Sequence, residues 1–179
     1  MYCSLIFIHP LYSFAYGDLN DEDTAAAIDA YWELILKIGG DGFAAIADGF
    51  RNMLLHNAAK SRASKPMMQR IIKKHPPALK KGDGNNKLPL HFACMYNRRV
   101  AAESLAAAYP AALSMKNDGG KTPFEVIGDA PGVTMTDDEK LLFKRATLRA
   151  IMEAHCSNEA VLGYGTEKEV RIYIEYDFQ

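Results

Sequence analysis

The chain has 179 residues, 49% of them hydrophobic and 24% charged, and its formal net charge at neutral pH is −1. That balance belongs to a folded globular chain forming one domain or one compact array, so wholesale disorder is excluded. Cys3, Cys94 and Cys156 are odd in number, far apart and without a Cys-x-x-Cys pair, which argues against a disulfide framework and a zinc knuckle. No apolar run reaches the roughly 18 residues of a membrane span. The expectation is an intracellular, monomeric chain with no membrane span and no cofactor.

From the N-terminus, Met1 to Ala15 holds Leu5-Ile6-Phe7-Ile8 and several aromatics but no Lys or Arg, and His9-Pro10 breaks its apolar run. It lacks the basic start and continuous core of a secretory signal. Cys3–Ile8 reads instead as a short buried strand. Its natural mate is Val170-Arg171-Ile172-Tyr173-Ile174-Glu175-Tyr176, where apolar and mostly polar residues alternate with the period of a strand. The alternative is that this C-terminal strand is offered to the edge of a partner's sheet.

Next, Asp21-Glu22-Asp23-Thr24 places acids and a cap candidate before a helix over Ala25–Ile38, which Gly39-Gly40 is expected to end. Ile28, Tyr31, Trp32, Ile35 and Ile38 share one face at spacings of three and four. With Phe43–Arg51, this helix reads as an N-terminal cap that shields the apolar side of the segment beginning near Met53. Near the other end, Thr136-Asp137-Asp138-Glu139 has the form of a capping box and opens a long helix through Leu141, Leu142, Arg145, Leu148, Arg149 and Met152. The basic content of that helix implies one exposed side.

Between these caps the chain repeats itself. Leu88-Pro89-Leu90-His91-Phe92-Ala93-Cys94 is echoed 34 residues later by Thr122-Pro123-Phe124-Glu125-Val126-Ile127, and His75-Pro76-Pro77-Ala78-Leu79 by Tyr109-Pro110-Ala111-Ala112-Leu113 at the same offset. A degenerate earlier copy, Met53-Leu54-Leu55-His56-Asn57-Ala58-Ala59, precedes the first by 35 residues. Proline suits the first turn of a helix, where its missing N–H costs nothing. Asp83-Gly84-Asn85-Asn86 and Asn117-Asp118-Gly119-Gly120 supply residues that tolerate positive φ before each proline. A period in the low thirties marks a stacked repeat array, which buries a continuous core.

The segment Leu88–Ala93 resembles the ankyrin signature Thr-Pro-Leu-His-x-Ala, and Lys121-Thr122-Pro123-Phe124 keeps its Thr-Pro. The resemblance covers roughly residues 43–155 and about three repeats, leaving 1–42 as a strand and capping helix and 156–179 as a C-terminal strand segment. It implies a mainly α fold, a solenoid of helix-turn-helix units joined by hairpin-like loops, and protein binding. Asn86 stands where that family prefers Gly, and Asp129-Ala130-Pro131-Gly132 lengthens the third unit. By the same resemblance His91 bonds backbone groups between repeats. The binding surface it implies comprises Phe92, Met95 and Tyr96 on the first helix, left exposed, and the loop tips Asp83, Asn85, Asn86, Asn117 and Asp118. The matching first-repeat positions, Asn57, Lys60 and Ser61, are polar.

Charge offers a competing reading. Residues 1–50 carry eight acids against Lys37 alone, whereas residues 51–82 carry nine bases and no acid. Lys60, Arg62, Lys65, Arg70, Lys73 and Lys74 could bind an acidic protein, an anionic lipid or a nucleic acid. They could equally solvate the outward face of a helix over Pro66–His75. No aromatics interleave with them as stacking platforms for nucleic acid would. Catalytic readings are weak. His91 and Cys94 offer at most two metal ligands where a closed zinc site needs four. His155 and Cys156 are adjacent, so their side chains diverge by about 100° on a helix. Gly39–Gly42 and Gly163-Tyr164-Gly165 lack the strand-to-helix context of a phosphate loop. The expectation is a non-enzymatic module that binds a partner protein, with an electrostatic adaptor as the alternative.

Overall fold

The computed structural model describes residues 22–43 and 53–156. Among these residues the fold is mainly helical and contains no strand. The strands expected at Cys3–Ile8 and Val170–Tyr176 lie outside the described residues. In chain order come α1 (Glu22–Phe43), α2 (Leu54–Lys60), α3 (Lys65–Lys74), a 3-10 turn (Pro76–Lys80), α4 (Pro89–Met95), α5 (Arg99–Ala108), 3-10 turns at Pro110–Ser114 and Pro123–Val126, and α6 (Asp137–Cys156). No described helix is long and apolar enough to cross a membrane.

The helices pack as short antiparallel pairs. α2 meets α3 and α4; α4 meets α5 and the Pro123–Val126 turn; α5 meets α3 and α6. Small residues let the pairs approach closely, since Ala58, Ala59, Ala93, Ala101, Ala102 and Ala106 are all buried. Larger side chains fill the space between, chiefly Leu55, Met68, Ile71, Leu90, Leu105 and Ile151. Local signals explain the boundaries. Ser64 accepts from the Met67 N–H at 3.3 Å and caps α3, with Pro66 in its first turn. Asn97 adopts a φ of 52° just after α4, a left-handed exit that Asn tolerates better than other non-glycine residues.

α1 shields the first pair. Trp32 is buried and its Nε1–H donates to Ser61 Oγ at 3.1 Å, while the Ser64 N–H donates to Asp29 at 2.9 Å. Glu33 pairs with Arg70 on α3. Two expectations for this helix need correction. It continues through Gly39-Gly40 to Phe43, because glycine stops a helix by turning left-handed and otherwise costs it only about 1 kcal/mol. Ile38 is exposed, since ten residues after Ile28 the helix has turned it about 80° off the buried face.

The capping box at the start of α6 forms as expected. The Thr136 N–H donates to Glu139 at 2.7 Å and the Glu139 N–H to Thr136 Oγ1 at 3.2 Å. Thr136→Ala is expected to cost about 1 kcal/mol in urea unfolding, because an orphan N–H loses its partner. α6 buries Phe143, Thr147, Leu148 and Ile151 and turns Leu142 and Met152 outward.

Candidate functional site

One geometry recurs at the start of α2, at the start of α4 and at the Pro123–Val126 turn. The Met53 N–H donates to His56 Nδ1 at 3.0 Å, the Leu88 N–H to His91 Nδ1 at 3.1 Å, and the Thr122 N–H to Glu125 Oε2 at 2.6 Å. Because Nδ1 accepts, each neutral ring carries its proton on Nε2. From there His56 donates to the Lys87 carbonyl at 3.1 Å and His91 to the Lys121 carbonyl at 3.2 Å. Each histidine therefore ties one helix start to the loop of the next unit, the role expected of His91. Both rings are completely buried. Burial depresses the His56 pKa to about 4 and holds that of His91 below its ordinary value. Glu125 keeps the first bond and has no proton to give onward, so the ladder ends at the third unit.

The loops repeat as well. The Asp83 N–H donates to the Lys87 carbonyl and the Asn117 N–H to the Lys121 carbonyl, both at 3.0 Å. Asp83 Oδ1 closes its loop by accepting from Asn85 and Lys87 at 2.9 and 2.7 Å. Asn86 has a φ of 57° and Gly120 one of 74°, as anticipated at both tips. A Cβ on Gly82 would meet the Asn86 backbone at 2.8 Å, so glycine is required there. Consecutive loops touch: the Asp118 N–H donates to the Asn85 carbonyl at 3.1 Å. Asn85, Asn86 and Asp118 are exposed and Asp83 and Asn117 half-buried, so the five tip residues form one connected rim.

The helical part of the expected surface is placed differently. Phe92 is 6% exposed and not open to a partner. It is covered because Lys60 Nζ lies 4.3 Å from its ring centroid and His56 packs edge-on against it at 5.7 Å. Met95 and Tyr96 are half-buried and retain accessible surface.

The basic residues do not act as one patch either. Lys60 is only 7% exposed, Arg62 is half-buried and Arg70 pairs with Glu33. Lys65, Lys73 and Lys74 are exposed. Sequence reasoning passed over Lys87, whose Nζ lies 6.0 Å from the same Phe92 ring, and Arg98, whose Nε–H donates to the Lys60 carbonyl at 2.8 Å. Lys87 sits directly before the Leu88-Pro89 motif, as Lys121 does before Thr122-Pro123, and that register was the available signal.

Among the described residues no group of three or more His, Cys, Asp or Glu side chains gathers as a metal site. His91 spends both ring nitrogens on backbone, and Cys94 is completely buried, which pushes its thiol far above the usual range. Cys94 is expected to react with a thiol reagent only after denaturant is added, because the thiolate is the reactive form. Compared with protein-family models, curated proteins and solved structures, the chain gives no match.

Proposed function

We propose that this chain is a non-enzymatic protein-recognition module of the ankyrin-repeat kind, binding its partner through the loop rim and the neighbouring Met95 and Tyr96. The observation that carries the reading is the recurrence of one loop-and-helix geometry at the 34- and 35-residue offsets of the sequence. Such units stack to leave an extended rim of loop tips and first-helix residues, the part of the array free to differ between relatives. A half-buried Met and Tyr beside hydrogen-bonding loop tips match the make-up of an interface centre and its edge. No chemical step and no cofactor enter the proposal.

The test uses three baits in native lysate: wild type, Met95→Ala/Tyr96→Ala, and Lys73→Glu/Lys74→Glu. Circular dichroism checks that each is folded. A stoichiometric protein captured by wild type, lost with the first pair and kept with the second, is the expected result. Loss with the charge reversal alone would instead favour the electrostatic adaptor, whose binding also weakens steeply with salt. Phe92 is unsuitable as a probe, because its replacement would open the core.

A further inference from the structure

α1 has two apolar faces and the core uses one of them. Ile28, Trp32 and Ile35 are buried. Ala27, Ala30, Leu34 and Ile38 follow one another at spacings of three and four and so share a second face. All four are exposed, Leu34 at 52% and Ile38 at 64%. Lys37 stands at the edge of this stripe, while Asp29 and Glu33 turn toward Ser64 and Arg70. A surface helix ordinarily presents polar residues on the side away from its core. A contiguous apolar stripe there marks a contact surface.

The chain itself carries a matching segment at the adjoining end. Residues 1–16 contain no charged residue, and 12 of the 16 are apolar or aromatic. They join α1 through Gly17-Asp18-Leu19-Asn20-Asp21, rich in residues that favour chain reversal. The stripe from Ala27 to Ile38 is about 17 Å long at the helical rise. Sixteen residues reach up to about 53 Å when extended, so a chain reversing at 17–21 spans the whole stripe. The short tether makes the encounter intramolecular and gives this segment an advantage over any free partner of equal hydrophobicity. We infer that residues 1–16 of this chain lie along the outer face of α1, on Ala27, Ala30, Leu34 and Ile38.

The experiment places a nitroxide on Cys3 of the full chain carrying Cys156→Ser, Cys94 being completely buried. Leu and Ile methyl NMR signals are compared with the label oxidised and reduced. The Leu34 and Ile38 methyls are expected to weaken several-fold in the oxidised sample, and equal intensities in the two states would overturn the inference. The measurement is repeated with nitroxide and isotope on different molecules. No weakening is expected there; weakening in the mixed sample would mean that a second copy covers the face, which overturns the inference as well.

Discussion

Replacing Leu105 by alanine is expected to lower the free energy of unfolding by about 3–4 kcal/mol, read as a fall in urea midpoint at unchanged slope. Leu105 is 1% exposed and lies on α5, which packs against α2, α3, α4 and α6. Its neighbours on the helix, Ala101, Ala102 and Ala106, are also buried. They are too small to swing into the space a truncated leucine leaves, and the helices are already held close, so the cavity persists. Its cost then adds to the lost transfer energy of the side chain. Against a typical stability of about 5–15 kcal/mol, such a loss is a large fraction of the whole. Val100→Ala on the same helix supplies the control. Val100 is 41% exposed, and its truncation is expected to stay within about 0.5 kcal/mol, as surface changes do. A Leu105→Ala loss no larger than that of Val100→Ala would contradict the placement of α5 at the centre of the packing.

The helical class, the loop residues with positive φ and the capping box at Thr136 were legible in the sequence because each arises from short-range chemistry. Asn86 and Gly120 declare their conformation by side chain alone, and Thr136 with Glu139 is a pattern four residues long. Trp32 was legible as core for a similar reason, since helical periodicity and an unpaired large aromatic point the same way. What failed depended on distant residues. Phe92 was expected at the surface, yet the residues that cover it are Lys60 from the preceding unit and Lys87 from the intervening loop. Lys60 looked like one member of a solvated basic block. Its aliphatic stem follows apolar surface while its ammonium group takes the ring face, an arrangement open to lysine and invisible to a charge count. Gly39-Gly40 failed differently. A glycine pair permits a helix to end but does not compel it.

The recurring hydrogen bonds also explain why the units differ in length. In the second unit α4 runs two turns from Pro89 to Met95, with His91 tied onward to Lys121. In the third, Glu125 offers nothing to a following loop, and the first helix shrinks to the single 3-10 turn Pro123–Val126. The backbone then leaves early, and Gly128 and Ala130 donate back to the Cys94 and Met95 carbonyls at 3.2 Å, satisfying the exposed end of α4. α6 closes the stack against α5 in place of a fourth unit. The side chain at one position in each unit thus sets whether another loop is held.

The two buried histidines make stability fall with acid, and the direction of their shifts sets the pH window. A histidine whose folded pKa is depressed stays neutral in the native state while the unfolded chain takes up a proton. Its stabilisation is therefore complete above the unfolded value of 6.5 and is lost as pH falls toward the folded one, about 4 for His56. Burial is the main cause for both rings. Lys60 adds to it at His56, while the Lys87 carbonyl and Asp83 oppose it; at His91 the Lys121 carbonyl opposes it and Lys87 adds. The hydrogen bonds supply an independent reason, since a proton on Nδ1 would face the Met53 or Leu88 N–H that now donates to it. Between pH 7 and pH 5, His56 alone is expected to withdraw about 2 kcal/mol, each tenfold change in proton-binding equilibrium being worth about 1.4 kcal/mol. His91 adds to that loss. Glu125 and Glu139 are held below 4.5 by the bonds from Thr122 and Thr136, so their contribution is lost only at lower pH. The double variant His56→Gln/His91→Gln separates titration from packing. A glutamine amide can accept the same backbone N–H through its oxygen and donate to the next loop through its nitrogen, without ionising. Urea unfolding at the two pH values is expected to show a marked loss in the wild type and little in the variant. An equal loss in both would place the acid sensitivity elsewhere and remove the histidine ladder as its cause.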